Sequence, residues 1–477
     1  MSSLQIDRDD ALLDRPGVPL AQTAPRYVLT VPIDRRRTLA SAWLMLGIVA
    51  LIAAGVLSIL LVMSRTPGVQ NVFPVADFFK VALVAHVDLS VLVWFLAFAG
   101  VLWTINSTPR FLGAGRVAFA LAAAGAAAIA LAPFVGQGRP VMANYIPVLR
   151  DPVFLAGLLG FAAGVAVLVA RGMATAPRVG VRLDGAGALR FGLNASLVST
   201  AVALIAFAWS YAAVPSTLDP AGYYELLFWG GGHVLQFTWT LLMLVAWLAL
   251  ADATGARVPL SPRIATLLFG IGLAAAFITP AIYLAFDVGS VEHHHLLTWL
   301  MRFGGGLAIP PVALAVLWAC VQHRRVAADQ RPLRAALLAS IALFGVGGVI
   351  GFFISGSNVK IPAHYHGSIV GVTIALMGLA YLLLPALGFA RPSVRLATLQ
   401  PYLYGGGQFL HVIGLVWSGG YGVQRKVAGS EQVLRSTQEI LGMGLMGLGG
   451  LIAVAGGVLF VFVVLQAIYR GRRRPPP

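Results

Sequence analysis

Residues 363–387 read AHYHGSIVGVTIALMGLAYLLLPAL, and this segment combines two features that decide the fold. From Ser368 to Leu387 it has no charged side chain. Its length is close to the roughly 20 residues that an α-helix needs to cross the hydrocarbon core of a bilayer. Two histidines, His364 and His366, stand where the apolar run begins. The segment therefore predicts a membrane-spanning helix that carries two imidazoles at one end.

The composition extends this prediction to the whole chain. Of 477 residues, 59% are hydrophobic and 10% are charged, and the mean hydropathy is +0.86. The chain therefore has far more apolar surface than the core of a water-soluble protein could bury. The formal charge of +16 comes largely from arginines in short loops between apolar runs, a pattern that sets membrane orientation, so we expect no nucleic-acid partner. The single cysteine excludes a disulfide framework, a CxxCH haem-attachment site and a cysteine-pair copper site within this chain. Any such centre belongs to a partner subunit.

About twelve apolar stretches follow one another along the chain, each close to the length of a membrane span. They are approximately Leu39–Met63, Phe78–Trp103, Val117–Val135, Val153–Val169, Gly192–Val214, Leu226–Leu250, Ile264–Phe286, Leu296–Val321, Arg334–Phe353, Ser368–Leu387, Leu403–Trp417 and Ile440–Ile468. We therefore predict an all-α polytopic membrane protein with about twelve transmembrane helices. Its parts are a cytoplasmic N-terminal tail (1–37), a membrane domain (38–469) and a basic cytoplasmic tail (470–477).

Alternate loops differ in their content of basic residues. One set includes the run 35–37, the loop 171–190 and the tail 470–477, all rich in arginine, whereas the other set is sparse. Since cytoplasmic loops carry the excess of Lys and Arg, the arginine-rich set is predicted to be cytoplasmic. The protein is then expected in a bacterial inner (cytoplasmic) membrane with both termini in the cytoplasm.

On this topology most of the nine histidines fall at one level, near the outer surface of the bilayer. They are His86, His233, His293, His294, His295, His364 and His366. One intramembrane histidine often serves only as a hydrogen-bonding residue between helices, and a triple histidine can be a solvated turn. Several at a common depth instead indicate redox metals, because imidazole is the usual nitrogen ligand of copper, non-haem iron and haem iron. His323 and His411 are predicted to lie elsewhere.

The spacing of His364 and His366 suggests how two sites are joined. Residues i and i+2 of an α-helix point about 200° apart, so one helix can address two metal sites. His86, on another helix, could complete a six-coordinate haem, and His233 with two neighbouring histidines could form a three-imidazole site for a non-haem metal.

Four motifs in this order resemble those of the catalytic subunit of the haem–copper oxidase superfamily, which includes cytochrome oxidases and nitric oxide reductases. They are AHVD at 85–88, LFWGGGH at 227–233, EHHH at 292–295 and AHYH at 363–366. The resemblance covers nearly the whole chain, because the family core also has twelve helices. It implies two haems, one of them low-spin and one high-spin, and one non-haem metal, copper or iron.

The resemblance also assigns residues to these groups. His86 and His366 resemble the axial ligands of the low-spin haem, and His364 resembles the ligand of the high-spin haem. His233 with two of the three consecutive histidines resembles the non-haem metal site, for which we favour His293 and His294. The resemblance thus implies six metal ligands, namely His86, His233, His293, His294, His364 and His366. The pair Arg425 and Lys426 resembles the family's haem-propionate pair, although ordinary loop charges remain an alternative.

Departures from the family pattern bear on which gas is reduced. The tyrosine that common oxygen reductases place four residues after the metal-binding histidine is Phe237 here. Tyr283 precedes His293 by more than the spacing of the C-type oxidases, which supply their tyrosine from that helix. Nitric oxide reductases need no such tyrosine, but they usually add a carboxylate. The residue expected to be Glu on the His233 helix is not acidic here, and Gln236 lies one turn along. Glu292 and Glu225 are the carboxylate candidates, with capping or solvation at the helix end as an alternative role.

The expected function is that of a respiratory gas reductase, which passes electrons from the low-spin haem to the high-spin haem and the non-haem metal. We favour reduction of nitric oxide to nitrous oxide, with a cytochrome c or quinol oxidase that reduces O2 to water as the alternative. The expected partners are a cytochrome c- or copper-bearing electron-donating subunit, the lipid bilayer and a small gas, NO or O2. Asp88 and Asp287 could relay protons, with capping of a helix end as an equal alternative for Asp287. A non-redox polytopic transporter or an assembly paralogue is a third hypothesis, since Gly304–Gly306 could interrupt a helix.

Overall fold

The computed structural model describes residues 26–69, 76–136, 138–180, 183–428 and 431–472. Twelve long helices account for most of these residues. They are α1 (Arg35–Met63), α2 (Phe78–Ile105), α3 (Leu112–Val135), α4 (Pro152–Thr175), α5 (Gly185–Ala213), α6 (Pro220–Ala253), α7 (Pro262–Ala285), α8 (Val291–Gln322), α9 (Ala328–Phe352), α10 (Lys360–Ala386), α11 (Val394–Gly420) and α12 (Thr437–Arg472). Each coincides with one predicted apolar stretch, so the predicted all-α membrane architecture is confirmed.

Eleven of these helices are long and apolar enough to cross a membrane on length and composition alone. The other, α11, is as long as α10 but carries Gln400, Gln408 and His411 within its apolar sequence. Most of residues 1–37, including 1–25, lie outside the described residues, and α1 already begins at Arg35. At the other end α12 continues to Arg472, and residues 473–477 are not among the described ones.

Polar caps define where many helices begin. The carboxylate of Asp151 accepts hydrogen bonds from the backbone N–H groups of Val153 and Phe154 at the start of α4. Such capping satisfies N–H groups that have no partner inside the helix. Proline in the first turn, as at the starts of α4, α6 and α7, costs nothing there because its missing N–H is not needed. Equivalent side-chain caps are Asp34, Asp184, Asp219, Ser261 and Ser290.

Glycines let particular helix pairs approach closely. A Cβ atom at Gly347 of α9 would collide with the backbone at Gly367 and Ser368 of α10. Gly407 and Gly414 of α11 are in similar contact with the backbone of α12. Small residues are favoured between membrane helices because close backbone approach maximises van der Waals contact. These contacts fix the rotation of α10 and α11, and therefore the direction in which their histidines point.

One end of the bundle is closed by segments that lie far apart in sequence. A short antiparallel hairpin, β1 (Arg139–Val141) and β2 (Val148–Arg150), lies between α3 and α4 and pairs Val141 with Val148. Arg65, after α1, donates to the Gln424 carbonyl and the Gln432 side chain in the α11–α12 loop. This end is predicted to face outwards. The hairpin itself was not predicted from the sequence.

Candidate metal centre

A cavity of about 2000 Å³ opens within the bundle, near the end that the hairpin and the α11–α12 loop close. Ordinary small-molecule pockets are roughly 300–1,000 Å³, so this one has room for more than one such group. Four histidines line it, together with mainly apolar side chains. They are His86, His364, His366 and His411.

His364 is held by a direct contact between α9 and α10. Its Nδ1–H donates to the Gly347 carbonyl at 2.7 Å. The contact is possible because a Cβ at Gly351 would meet the imidazole ring at 2.7 Å, and because Gly347 has no side chain. Metal-binding histidines almost always donate their second ring nitrogen in this way, which fixes the tautomer and ring orientation. Nε2 of His364 is thus the nitrogen left for a metal.

His86 shows the same arrangement on α2. Its Nδ1–H donates to the Ala54 carbonyl of α1 at 2.9 Å, which leaves Nε2 available. The next turn of α2, Asp88–Val93, is a π-helix, and a second π-helical segment, Leu300–Gly304, follows the histidines of α8. Single π-turns inside α-helices are frequently found at functional sites.

His411 corrects the sequence prediction, which placed it away from the other histidines. Its ring lies 4.6 Å from the ring of His366 between centroids, and its Nδ1–H donates to the Met446 carbonyl of α12 at 2.9 Å. His366 in turn donates to the Gln408 side chain at 3.3 Å. The apolar sequence around His411 gave no sign of this contact, because the contact depends on how the glycine-lined face of α11 is turned.

The His366–His411 contact is too short for the two rings to flank one haem iron. With metal–nitrogen bonds of about 2 Å, two axial imidazoles would have ring centroids roughly 6 Å apart. His86 also lies close enough to His366 to interact with it electrostatically. His86 therefore remains the better partner of His366. His364 and His366 point to α9 and α11 respectively, as expected for residues i and i+2 of one helix.

A second cluster, formed by His233, His293 and His294, lies beside the cavity. His293 is buried, and neither of its ring nitrogens has a hydrogen-bond partner in the described structure. The ring of His294 stacks on Trp229 at 3.5 Å between centroids. His233 donates from Nδ1 to the Trp229 carbonyl at 2.7 Å and accepts at Nε2 from the Tyr145 hydroxyl at 2.9 Å.

These three imidazoles fit a metal site in composition, although the set is incomplete. An unpartnered buried imidazole is costly unless a metal or water takes up its nitrogen. Within the described ranges, however, no three His, Cys, Asp or Glu side chains meet closely enough to enclose a metal ion.

Three residues were expected to indicate whether NO or O2 is reduced, and their contacts differ. Phe237 is buried, and a Cβ at Gly305 of α8 would meet its ring at 3.1 Å. The Tyr283 ring packs edge-on against His293 at 4.6 Å, but its hydroxyl is hydrogen-bonded to Ser210 at 2.8 Å. Gln236 lines the cavity.

The acidic candidates have the following surroundings. Glu292 and the neighbouring His295 are exposed in the first turn of α8. Glu225 accepts from the backbone N–H and the side chain of Asn144 in the hairpin loop. Asp287 is exposed, whereas Asp88 is fully buried and neither carboxylate oxygen has a partner in the described structure.

Cations line the outer rim of the cavity. Arg425 and Lys426 both donate to the Asn144 side chain, and Lys426 also donates to the Met142 carbonyl at 2.5 Å. Burial, assisted by Arg425 and opposed by Glu225, lowers the pKa of Lys426 to about 8. Arg65, which the sequence argument missed, also lines the cavity, and burial lowers its pKa to about 10. Arg65, Arg425 and Lys426 form no ion pair with any described carboxylate, so the rim suits anionic groups.

Twelve long packed helices with a histidine-lined cavity at one end are the architecture expected of a membrane-embedded oxidoreductase of the haem–copper type. Residues 38–462 match the family described as Cytochrome C and Quinol oxidase polypeptide I. The chain therefore belongs to that family, within the haem–copper oxidase superfamily. The predicted family is confirmed, and this membership argues against the transporter hypothesis.

Two relatives and one solved structure are similar to the chain over most of its length. The chain is 30% identical to an uncharacterized protein of Rickettsia prowazekii (strain Madrid E), over 91% of this chain and 97% of that one. It is 27% identical to an uncharacterized protein of Aquifex aeolicus (strain VF5), over 73% of this chain and 85% of that one. A chain of a heme-copper terminal oxidase dimer matches with a TM-score of 0.71 and 16% identity, covering 94% of this chain and 85% of that chain. That last similarity concerns the fold.

Proposed function

We propose that this protein is the catalytic subunit of a respiratory nitric oxide reductase, which uses two electrons and two protons to convert two NO molecules into one nitrous oxide and one water. The observation that carries the choice of gas is Phe237. It packs as a hydrocarbon side chain against α8, where common oxygen reductases have a tyrosine. Reduction of NO to nitrous oxide needs two electrons rather than four, so it does not depend on that tyrosine.

We assign the ligands as follows. His86 and His366 would bind the low-spin haem, and His364 the high-spin haem. His233, His293 and His294 would bind the non-haem metal. Free Nε2 atoms on His86 and His364, and the unpartnered nitrogens of His293, support these assignments. When bound, the haems and the metal supply electron transfer and the site for the gas.

The chain's own residues prepare this site. Carbonyl groups of Ala54 and Gly347 orient the imidazoles of His86 and His364. Arg425, Lys426 and Arg65 would neutralise haem propionates at the rim. Phe237 gives the cavity a buried apolar side chain, while Gln236 offers a polar one.

Oxygen reduction is the second candidate, and Tyr145 is the observation that favours it. A tyrosine hydroxyl beside a metal-binding histidine is the group that four-electron reduction of O2 uses, and Tyr145 provides one at His233. Tyr283 is the weaker source of this group, because its hydroxyl is engaged by Ser210. The copper or iron content of the second site separates the two candidates.

The test uses the purified complex with an artificial electron donor. A reduced-minus-oxidised spectrum should contain bands of a low-spin and a high-spin haem, and metal analysis should give non-haem iron. NO consumption with formation of nitrous oxide would support the proposal. Copper combined with O2 uptake and no nitrous oxide would replace it with the oxidase candidate, and absence of haem bands would remove both.

The proposal also covers the electron-donating partner of the subunit and its location in the membrane. Without cysteine pairs of its own, the chain would receive electrons from a cytochrome c- or copper-bearing subunit at the outer end, where the haem sites lie. We place the protein in a bacterial inner membrane with both termini in the cytoplasm, because the arginine-rich loops fall at the opposite end. Co-purification of a haem c or copper subunit with this chain would test the partner.

A further inference from the structure

Arg302 is an exposed charged side chain inside the apolar sequence of α8. Its guanidinium donates to the carbonyl of Phe352, the last residue of α9, at 3.3 Å. The same group lies 5.2 and 5.7 Å from the ring centroids of Phe352 and Phe303. Among the described residues it forms no ion pair with a carboxylate. Because a charge next to hydrocarbon is costly without a partner, Arg302 calls for an anion from outside the bundle.

Helix lengths place this guanidinium at the outer boundary of the hydrocarbon. At ~1.5 Å per residue, α9 rises about 32 Å from Arg331, in a loop predicted to be cytoplasmic, to Phe352. From Gln322, at the same end of the bundle, α8 rises about 30 Å to Arg302. Both lengths match the roughly 30 Å thickness of the hydrocarbon core. Arg302 therefore lies at the depth where the phosphate groups of the outer lipid leaflet begin.

Below Arg302, an opening between α8 and α9 connects the cavity with the bilayer. Side chains of both helices line the cavity there and are more than half exposed, so no described helix covers them. They are Phe303, Leu307 and Leu314 of α8, and Val349 and Phe352 of α9. We call this opening the α8–α9 slot.

Small residues on α9 give the α8–α9 slot its depth. Ala342, Gly345 and Gly348 follow one another at intervals of one helical turn and line the cavity. A Cβ atom at Gly345 or Gly348 would meet no atom within 4 Å. From Ala342 to Phe352 the helix rises about 15 Å, which is half of the roughly 30 Å hydrocarbon core. The slot is thus apolar and has the length of one acyl chain of the outer leaflet.

We propose that the α8–α9 slot binds a glycerophospholipid of the outer leaflet. Its phosphate would pair with Arg302, because the planar fork of N–H donors on a guanidinium matches phosphate oxygens. One acyl chain would lie along the slot against Gly345 and Gly348 and close the side of the cavity that faces the bilayer. A membrane helix of a partner subunit is the competing occupant. The length of the slot favours the lipid, since a spanning helix needs a groove across both leaflets.

Photolabelling with a lipid probe tests this site. The complex is purified in a maltoside detergent, which has no phosphate, and is incubated with phosphatidylglycerol that carries a diazirine near the end of one acyl chain. After irradiation, mass spectrometry locates the labelled residues. We expect adducts on slot residues such as Leu307 and Val349. Unlabelled phosphatidylglycerol should compete with the label, whereas diacylglycerol with the same chains should not, because it has no phosphate.

Two pairs of variants separate the contact with the phosphate from the contact with the acyl chain. Arg302→Gln should lower slot labelling about fivefold, the effect typical of one cation beside an anionic lipid. Arg435→Gln, which removes an exposed cation on the same predicted side, should leave it unchanged. Gly345→Leu should fill the slot and lower labelling as well. Its control is Gly406→Leu, because a Cβ at Gly406 also meets no atom within 4 Å but lies outside the cavity lining.

A cross-link in cells distinguishes the lipid from a partner helix. A photoreactive benzophenone amino acid in place of Leu307 should form an adduct with phospholipid. A cross-link to a second polypeptide would overturn the proposal and assign the α8–α9 slot to a membrane helix of a partner subunit. Slot labelling that phosphatidylglycerol does not displace, or that is equal in Arg302→Gln and the wild type, would overturn it too. The wild-type competition decides the matter even where a variant fails to fold.

Discussion

His364 is the residue whose role is most directly testable, because one hydrogen bond to Gly347 fixes its ring and one nitrogen remains free. His364→Ala should lose the high-spin haem and keep the low-spin one, since His86 and His366 are untouched. The reduced-minus-oxidised spectrum measures both. His323→Ala is the matched control, because His323 is exposed just after the last residue of α8, at the other end of that helix from His293 and His294. A His364→Ala spectrum that retained both haems would refute the ligand assignment.

Lys426 gives a prediction for pH dependence. A cation near the haem carboxylates disfavours the more positive oxidised haem, so Lys426→Ala should lower the low-spin haem midpoint potential by on the order of 10–50 mV. Because the pKa of Lys426 is lowered to about 8, the charge is present below that pH and lost above it. The wild-type potential should therefore fall as pH rises through about 8.

Redox titrations at several pH values check this prediction. Lys426→Arg is the control, because a guanidinium stays protonated throughout this range and should keep the potential high and flat. The interpretation fails if the arginine variant shows the same pH-dependent fall as the wild type.

Single residues also show where sequence reasoning reached its limit. The histidines at 86, 233, 293, 294, 364 and 366 could be selected because ionisable side chains in apolar helices are unusual. The position of His411 beside His366 could not, since it depends on the rotation of α11 against its neighbours. Nothing in the sequence near Tyr145 distinguishes it from any other loop tyrosine, and the contact with His233 arises only through folding.

At the level of elements, the α9–α10 contact supports the high-spin haem site. Gly347→Ala would push its new methyl group into the backbone at Gly367 and separate the helices. Overpacking of this kind typically costs about 1–3 kcal/mol. The same displacement moves the Gly347 carbonyl that orients His364. We therefore expect a lower thermal unfolding midpoint and partial loss of the high-spin haem, measured on the same sample.

Gly406→Ala is the matched control for this contact. A Cβ added at Gly406 meets no atom within 4 Å, so this variant should keep both stability and haem content. Equal losses in the two variants would refute this role of the close backbone approach, because Ala has the higher helix propensity and cannot by itself lower stability.

Elements differed in how well the sequence predicted them. The long helices were predictable because an apolar run of membrane length has few other stable conformations in a bilayer. The strands 139–141 and 148–150 were not, because three-residue strands carry no clear alternation and are held by contacts with α6 and the rim. The π-helical turn at Asp88–Val93 likewise has no sequence signal, since its hydrogen bonds differ from those of the α-helix by a single residue.

At the scale of the whole molecule, the two ends of the bundle differ in charge and in chemistry. The start of α1, the α10–α11 loop and the end of α12 meet at one end: a Cβ at Gly388 would meet the Arg37 side chain, and the Ala390 N–H donates to the Ala467 carbonyl at 3.1 Å. The histidine cavity and hairpin lie at the other end. The arginine-rich loops predict that the first of these ends faces the cytoplasm.

The protein's single cysteine makes this orientation measurable. Cys320 is buried near the end of α8, so Cys320→Ala provides a background without thiols. Single substitutions Arg435→Cys and Arg178→Cys then place a thiol at an exposed position on each predicted side. In intact spheroplasts, a membrane-impermeant maleimide should label Arg435→Cys and leave Arg178→Cys unlabelled until the cells are lysed. The opposite labelling would show that the topology is inverted. The rim of the cavity formed by Arg65, Arg425 and Lys426, and the electron donor, would then lie on the cytoplasmic side.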